Sequence, residues 1–134
     1  VKQRSIAIAL FCACGLLAAR IAHPKDLQNL TGLPAYPNLN RAVMDGVYRT
    51  DTLGHWCMRF WASASDPLSM VENWYRKKLT GASEIDLVND KTYRNYSALS
   101  GIKLALGIDY IVVYQVNAQA PTSIDLYRCS PISQ

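Results

Sequence analysis

Ser65-Asp66-Pro67-Leu68-Ser69-Met70-Val71-Glu72-Asn73-Trp74-Tyr75-Arg76-Lys77-Lys78-Leu79-Thr80-Gly81 carries the local signals of one amphipathic helix. Asp66 is placed to cap the first turn. Pro67 suits the first helical position, where a missing N–H costs nothing, and Gly81 stands where a left-handed residue ends a helix. Leu68, Val71, Tyr75 and Leu79, flanked by Met70 and Trp74, form an apolar stripe at helical spacing, so one face must be buried. Arg76, Lys77 and Lys78 complement the dipole in the last turn, and Glu72 can pair with Arg76 one turn away.

Upstream, residues 41–64 read as a β-hairpin: a strand-like run from Arg41 to Thr50, turn residues from Asp51 to Gly54, and an alternating strand from His55 to Ala64. In that second strand Trp56, Met58, Phe60, Ala62 and Ala64 share one face, which is assigned to the helix. Cys57, Arg59, Trp61 and Ser63 share the other. The strand runs directly into Ser65-Asp66-Pro67, so the helix should fold back across the sheet to which this strand belongs.

Downstream, Glu84 to Val88 alternates like a short strand, and residues 89–100, with Tyr93 and Tyr96, read as loop or weak helix. The runs 101–106, 110–117 and 122–129 form a three-stranded antiparallel meander. The fold class is therefore α+β: an antiparallel sheet of five to six strands with one helix on one face. Residues 41–134 form a single domain. Pro24, Pro34, Pro37 and Gly32 mark residues 23–40 as a tether with at most one helical turn, at Asp26 to Leu30.

Residues 1–22 have the pattern of a secretory signal peptide: Lys2 and Arg4, then an apolar run from Ile6 to Ala19, shorter than the roughly 20 residues that span a bilayer. Cleavage after Ala19 or Ala22 fits. A lipoprotein anchored at Cys14 is the alternative, and the only route by which a membrane becomes a partner. The whole chain carries a net charge of +4. Lys2, Arg4 and Arg20 leave with the leader, and eleven basic against ten acidic residues remain. A nearly neutral domain gives no electrostatic ground for a nucleic-acid partner.

Of four cysteines, Cys12 and Cys14 lie in the leader and Cys57 and Cys129 in the exported part. An even pair in an oxidising compartment is read as a disulfide. Both cysteines fall on the face away from the helix. A bond between neighbouring strands then needs the 55–64 and 122–129 strands side by side and antiparallel, which requires an extra traverse and promotes residues 84–88 to a strand.

Catalytic groups are scarce. The exported part holds two histidines, His23 in the tether and His55 near a turn; His55 with Cys57 would make a Cys–His pair only if the thiol were free. No nucleophile elbow, phosphate loop, zinc signature or calcium loop is present. No catalytic residue, metal or cofactor is therefore assigned. Arg59 and Trp61 on one strand, with Asp125 and Tyr127 on its expected neighbour, form a candidate binding face of the kind used for protein partners or flat sugar rings.

Tyr36-Pro37-Asn38, followed by Ser65-Asp66-Pro67 and then Val71, Trp74-Tyr75 and Leu79, resembles a pattern in small exported bacterial proteins of unknown function. The resemblance implies a periplasmic, envelope or secreted α+β domain and brings no catalytic residues with it. The expectation is a non-enzymatic binding domain with a protein or glycan partner. A small hydrolase using carboxylates or His55, and an accessory protein of a secretion or surface assembly, are the alternatives.

Overall fold

A computed structural model describes residues 23–49, 55–89 and 100–130. The expected leader with Cys14, the expected hairpin turn at 51–54 and most of the 89–100 segment lie outside the described residues. Along the chain run α1 (Pro24–Thr31), β1 (Leu39–Arg49), β2 (Trp56–Ala64), α2 (Leu68–Lys78), β3 (Ser83–Asp86) with a short 3-10 turn at Leu87–Asn89, β4 (Ser100–Leu106), β5 (Asp109–Gln115) and β6 (Thr122–Ser130). The six strands form one sheet in the order β1-β2-β6-β5-β4-β3, and every pair is antiparallel. The α+β architecture, the short strand after α2 and the adjacency of β2 and β6 are as the sequence implies.

Alternation sorts the strands into two faces. One row across the sheet reads Ala42, Ala62, Ile124, Val113, Ile102, and the next Phe60, Leu126, Ile111, Leu104. All nine are buried and belong to one aliphatic cluster with Val71, Tyr75 and Leu79 of α2. Helix α2 packs on β4 and β5, carrying the chain from β2, next to one edge, to β3 at the other edge. Trp56 and Met58 share this face, but at 49% and 37% exposed they lie beyond the helices' cover. Met70, read as part of the helix stripe, is 53% exposed.

Glycine is required at one point. Gly101 has φ +155, and a Cβ there would overlap the Val113 carbonyl oxygen and the Tyr114 Cα, so β4 and β5 approach more closely than a side chain allows.

Residues 23–40 differ from the expected tether. Pro24 opens a two-turn helix rather than breaking one, and Gly32 at φ +70 closes it, its N–H donating to Gln28 O at 2.7 Å. Leu27 and Thr31, four apart, are buried, and Thr31 Oγ1 donates to Leu27 O at 2.8 Å while accepting from Leu33 N at 3.1 Å. Leu33, Ala35 and Tyr36 continue into the same core. Proline and glycine here are helix boundaries, and the segment is part of the domain.

The ends of α2 also differ. Pro67 occupies the N-cap position with no side-chain cap bond; its carbonyl accepts from Met70 N and Val71 N. Asp66 instead accepts from the Tyr36 hydroxyl and from Asn38 Nδ2. Arg76 reaches past Glu72 to Glu84 on β3, with Nε at 2.7 Å and Nη2 at 3.2 Å. Helix α2 stops at Lys78, and Gly81, at φ +90, turns the chain into β3.

Candidate functional site

The face away from the helices is built from the odd positions of β2 and their cross-strand partners. Its central rows read Trp61, Asp125, Val112, Lys103 and Arg59, Tyr127, Tyr110, Ala105. At the end of β2 farthest from α2, Cys57 faces Cys129 and the two form a disulfide, with Cα atoms 3.9 Å apart. The pairing and face are as inferred from side-chain parity.

Arg59 and Asp125 are diagonal neighbours. Arg59 Nε and Nη2 donate to Asp125 Oδ2 at 3.1 and 2.8 Å, and the Tyr114 hydroxyl donates to Asp125 Oδ1 at 3.3 Å. The Asp125 side chain is 1% exposed and that of Arg59 23%, so the guanidinium bridges a buried carboxylate and the surface. Burial alone would lower the Arg59 pKa; the Asp125 charge beside it outweighs that and holds the guanidinium above its ordinary value. Burial, reinforced by the Asp125 charge, pushes Tyr114 up to about 12, so its phenol remains a neutral hydrogen-bond donor at neutral pH. Next to this pair Tyr110 and Tyr127 stack with ring centroids 4.3 Å apart, and Lys103 Nζ lies 4.5 Å from the Tyr110 centroid.

All four residues of the expected binding face thus come together on adjacent strands. Within that face Asp125 and Tyr127 are buried along with Cys57, Tyr110 and Val112. Arg59 and Trp61, both half-buried, are the members of the quartet that reach the surface. Tyr127 buttresses through its stack with Tyr110, and Asp125 orients Arg59. With Cys57 oxidised, its sulfur is not a thiolate that His55 could activate. Among the described residues no three His, Cys, Asp or Glu side chains are grouped to hold a metal ion, and no helix is long and apolar enough to cross a membrane.

A second constellation was not recognised as a unit from the sequence. At the opposite end of β2, Tyr36, Asn38, Asn40, Ser65, Asp66, Trp74 and Tyr75 form one corner where the N-terminal arm meets α2. The Tyr75 hydroxyl donates to Pro34 O at 3.1 Å and accepts from Tyr36 N at 3.2 Å. Trp74 meets Tyr36 edge-on at 5.4 Å and Tyr75 at 4.8 Å. Asn38 Nδ2 lies 3.3 Å from Asp66 Oδ2 and Asn40 Nδ2 2.6 Å from Ser65 Oγ, while Thr122 Oγ1 donates to Asp66 O at 2.7 Å. The signal for this corner was in the sequence as Tyr36-Pro37-Asn38, Ser65-Asp66-Pro67 and Trp74-Tyr75, three short stretches whose meeting only the fold reveals.

Comparison with protein families, with known proteins and with solved structures finds no match to this chain.

Proposed function

We propose that the chain is a non-enzymatic binding domain of an exported bacterial protein, acting in the periplasm or outside the cell and engaging its partner through Arg59 and Trp61. The observation that carries this reading is the Arg59–Asp125 pair beside a buried disulfide. A partly exposed guanidinium is held rigid by a buried carboxylate, next to a half-buried tryptophan, and Arg and Trp are the residue types that dominate binding energy at protein interfaces. Asp125 fixes the direction in which Arg59 points, which lowers the ordering cost of binding.

Export is supported by the leader-like residues 1–22 and by the disulfide, since such bonds persist in oxidising compartments and are rare in the cytosol. The disulfide removes one route to the hydrolase alternative, a free Cys57 thiol paired with His55.

The test has two arms. Expressed in a bacterium with its leader, the protein should be recovered from the envelope or medium with an N-terminus near residues 20–23 and no free thiol at Cys57 or Cys129; an intact, reduced cytoplasmic protein would overturn export. Photo-crosslinking from position 61 in living cells should then trap a defined partner, and Arg59→Glu should abolish the adduct. An adduct indifferent to Arg59→Glu would overturn the assigned face.

A further inference from the structure

The corner formed by the N-terminal arm and α2 has more exposed polar structure than the fold requires. Its buried half explains itself. The Tyr36 hydroxyl fastens the arm to Asp66, the Tyr75 hydroxyl of α2 donates to Pro34 O of the arm, and Thr122 Oγ1 anchors the 65–67 loop to β6. The exposed half does not: the Asn38–Asp66 and Asn40–Ser65 bonds lie at the surface, where hydrogen bonds between side chains exchange with water and contribute little net stability.

These groups are nonetheless held in place. Asp66 is fixed from three sides, by Tyr36, Asn38 and Thr122. Asn40 lies on β1, next to the Leu39–Ala64 pairing that ties β1 to β2. Each asparagine gives one amide N–H to its pair, which leaves a carbonyl oxygen and a second N–H able to bond elsewhere. Trp74, partly exposed, is separated from the Asp66 carboxylate by the width of the Tyr36 phenol, since that ring meets Trp74 edge-on and its hydroxyl bonds Asp66.

We propose that this corner is a binding site for a neutral oligosaccharide. A pyranose presents adjacent hydroxyls that both donate and accept, which suits two amides, a hydroxyl and a carboxylate in fixed array. It also presents a face of polarised C–H groups, which suits an indole face; Lys78 Nζ, 5.6 Å from the Trp74 ring centroid, lies over one side of that ring, where it can donate to a sugar hydroxyl. The single carboxylate in the array disfavours an anion and is too few ligands for a metal ion. The site is distinct from the Arg59–Trp61 face, at the other end of β2 from the disulfide, and extends the binding-domain reading to a second ligand class.

The test is an NMR titration of the oxidised full chain with N-acetylchitotriose and, separately, with cellotriose. Saturable shifts are expected at the Trp74 indole N–H and the Asn38 and Asn40 side-chain amides with at least one of them. Asn38→Ala and Asn40→Ala alter exposed side chains, so the rest of the spectrum should be unchanged, and each should weaken binding by up to about tenfold. Saturable shifts equally strong in the double variant would overturn the site. So would shifts confined to the Trp61 indole and Arg59 Nε, which would leave the proposed partner face standing, and so would no saturable shift with either sugar, an outcome that leaves the crosslinking result at position 61 untouched.

Discussion

On the helix-bearing face Phe60, Ile102, Leu104, Ile111, Val113, Ile124 and Leu126 fill space without directional bonds, whereas the opposite face is held by pairs: Cys57 with Cys129, Arg59 with Asp125, Tyr110 with Tyr127. Hydrophobic burial scales with area and forgives exchange among side chains of similar volume. Paired contacts do not, because removing one member leaves the other stranded. The same six strands therefore present one face tolerant of conservative change and one in which residues must change two at a time.

The largest effect should come from the covalent pair. Cys57→Ala with Cys129→Ala opens a loop of sequence separation 72 and should cost about 4 kcal/mol on the chain-entropy estimate, read as a lowered denaturation midpoint. On the aliphatic face Leu126→Ala should cost about 3 to 4 kcal/mol, and Leu126→Met under about 1.5 kcal/mol. Asp125→Ala should cost about 3 kcal/mol, at the low end for a broken buried pair because Arg59 reaches water. Combining Arg59→Met with Asp125→Leu should recover most of that loss; failure of the double variant to recover would show that this face is not organised by pairs.

Each face also carries a phenol that resists ionisation. Burial and Asp66 push Tyr36 up to about 12 from the ordinary 10.0, and Tyr114 rises to about 12 as well. A group whose folded pKa is raised contributes stability that is fully present below its unfolded pKa and is lost as pH rises through the folded value. Stability should thus fall between about pH 10 and pH 12, and Tyr36→Phe and Tyr114→Phe should each flatten part of that decline. The smallest effect is expected from Arg76→Ala, since the Arg76–Glu84 pair is exposed on both sides and worth under about 1 kcal/mol.

What could be read from the sequence was whatever has a short period or a parity. Alternation in β2 and β6 assigned Cys57 and Cys129 to one face, and the demand that they meet implied both β3 and the β2–β6 contact. What could not be read depended on choices between partners far apart in the chain. Asp66 had a local use as a helix cap and a distant one with Tyr36, thirty residues earlier, and the distant one prevails. Pro24 and Gly32 end a helix as readily as they break one; Leu27 and Thr31 decide the matter only when there is a core for them to enter. The Arg59–Asp125 contact is diagonal, not directly across; the Cys57–Cys129 pairing implies the register, but not which cross-strand neighbour the guanidinium takes.

The position of β6 has a consequence for assembly. It lies between β2 and β5, so without it the strands fall into a two-stranded hairpin and a separate three-stranded ribbon, with α2 running between them in the chain. Neither piece can close the aliphatic rows, because Ile124 and Leu126 are the members that join Ala62 and Phe60 to Val113 and Ile111. As the chain emerges N-terminus first, β1, β2 and α2 must wait for the last strand before any of them is secured, and Cys57 must wait with them for Cys129. The molecule is built like an arch, in which the final piece laid is the one that lets every earlier piece bear weight.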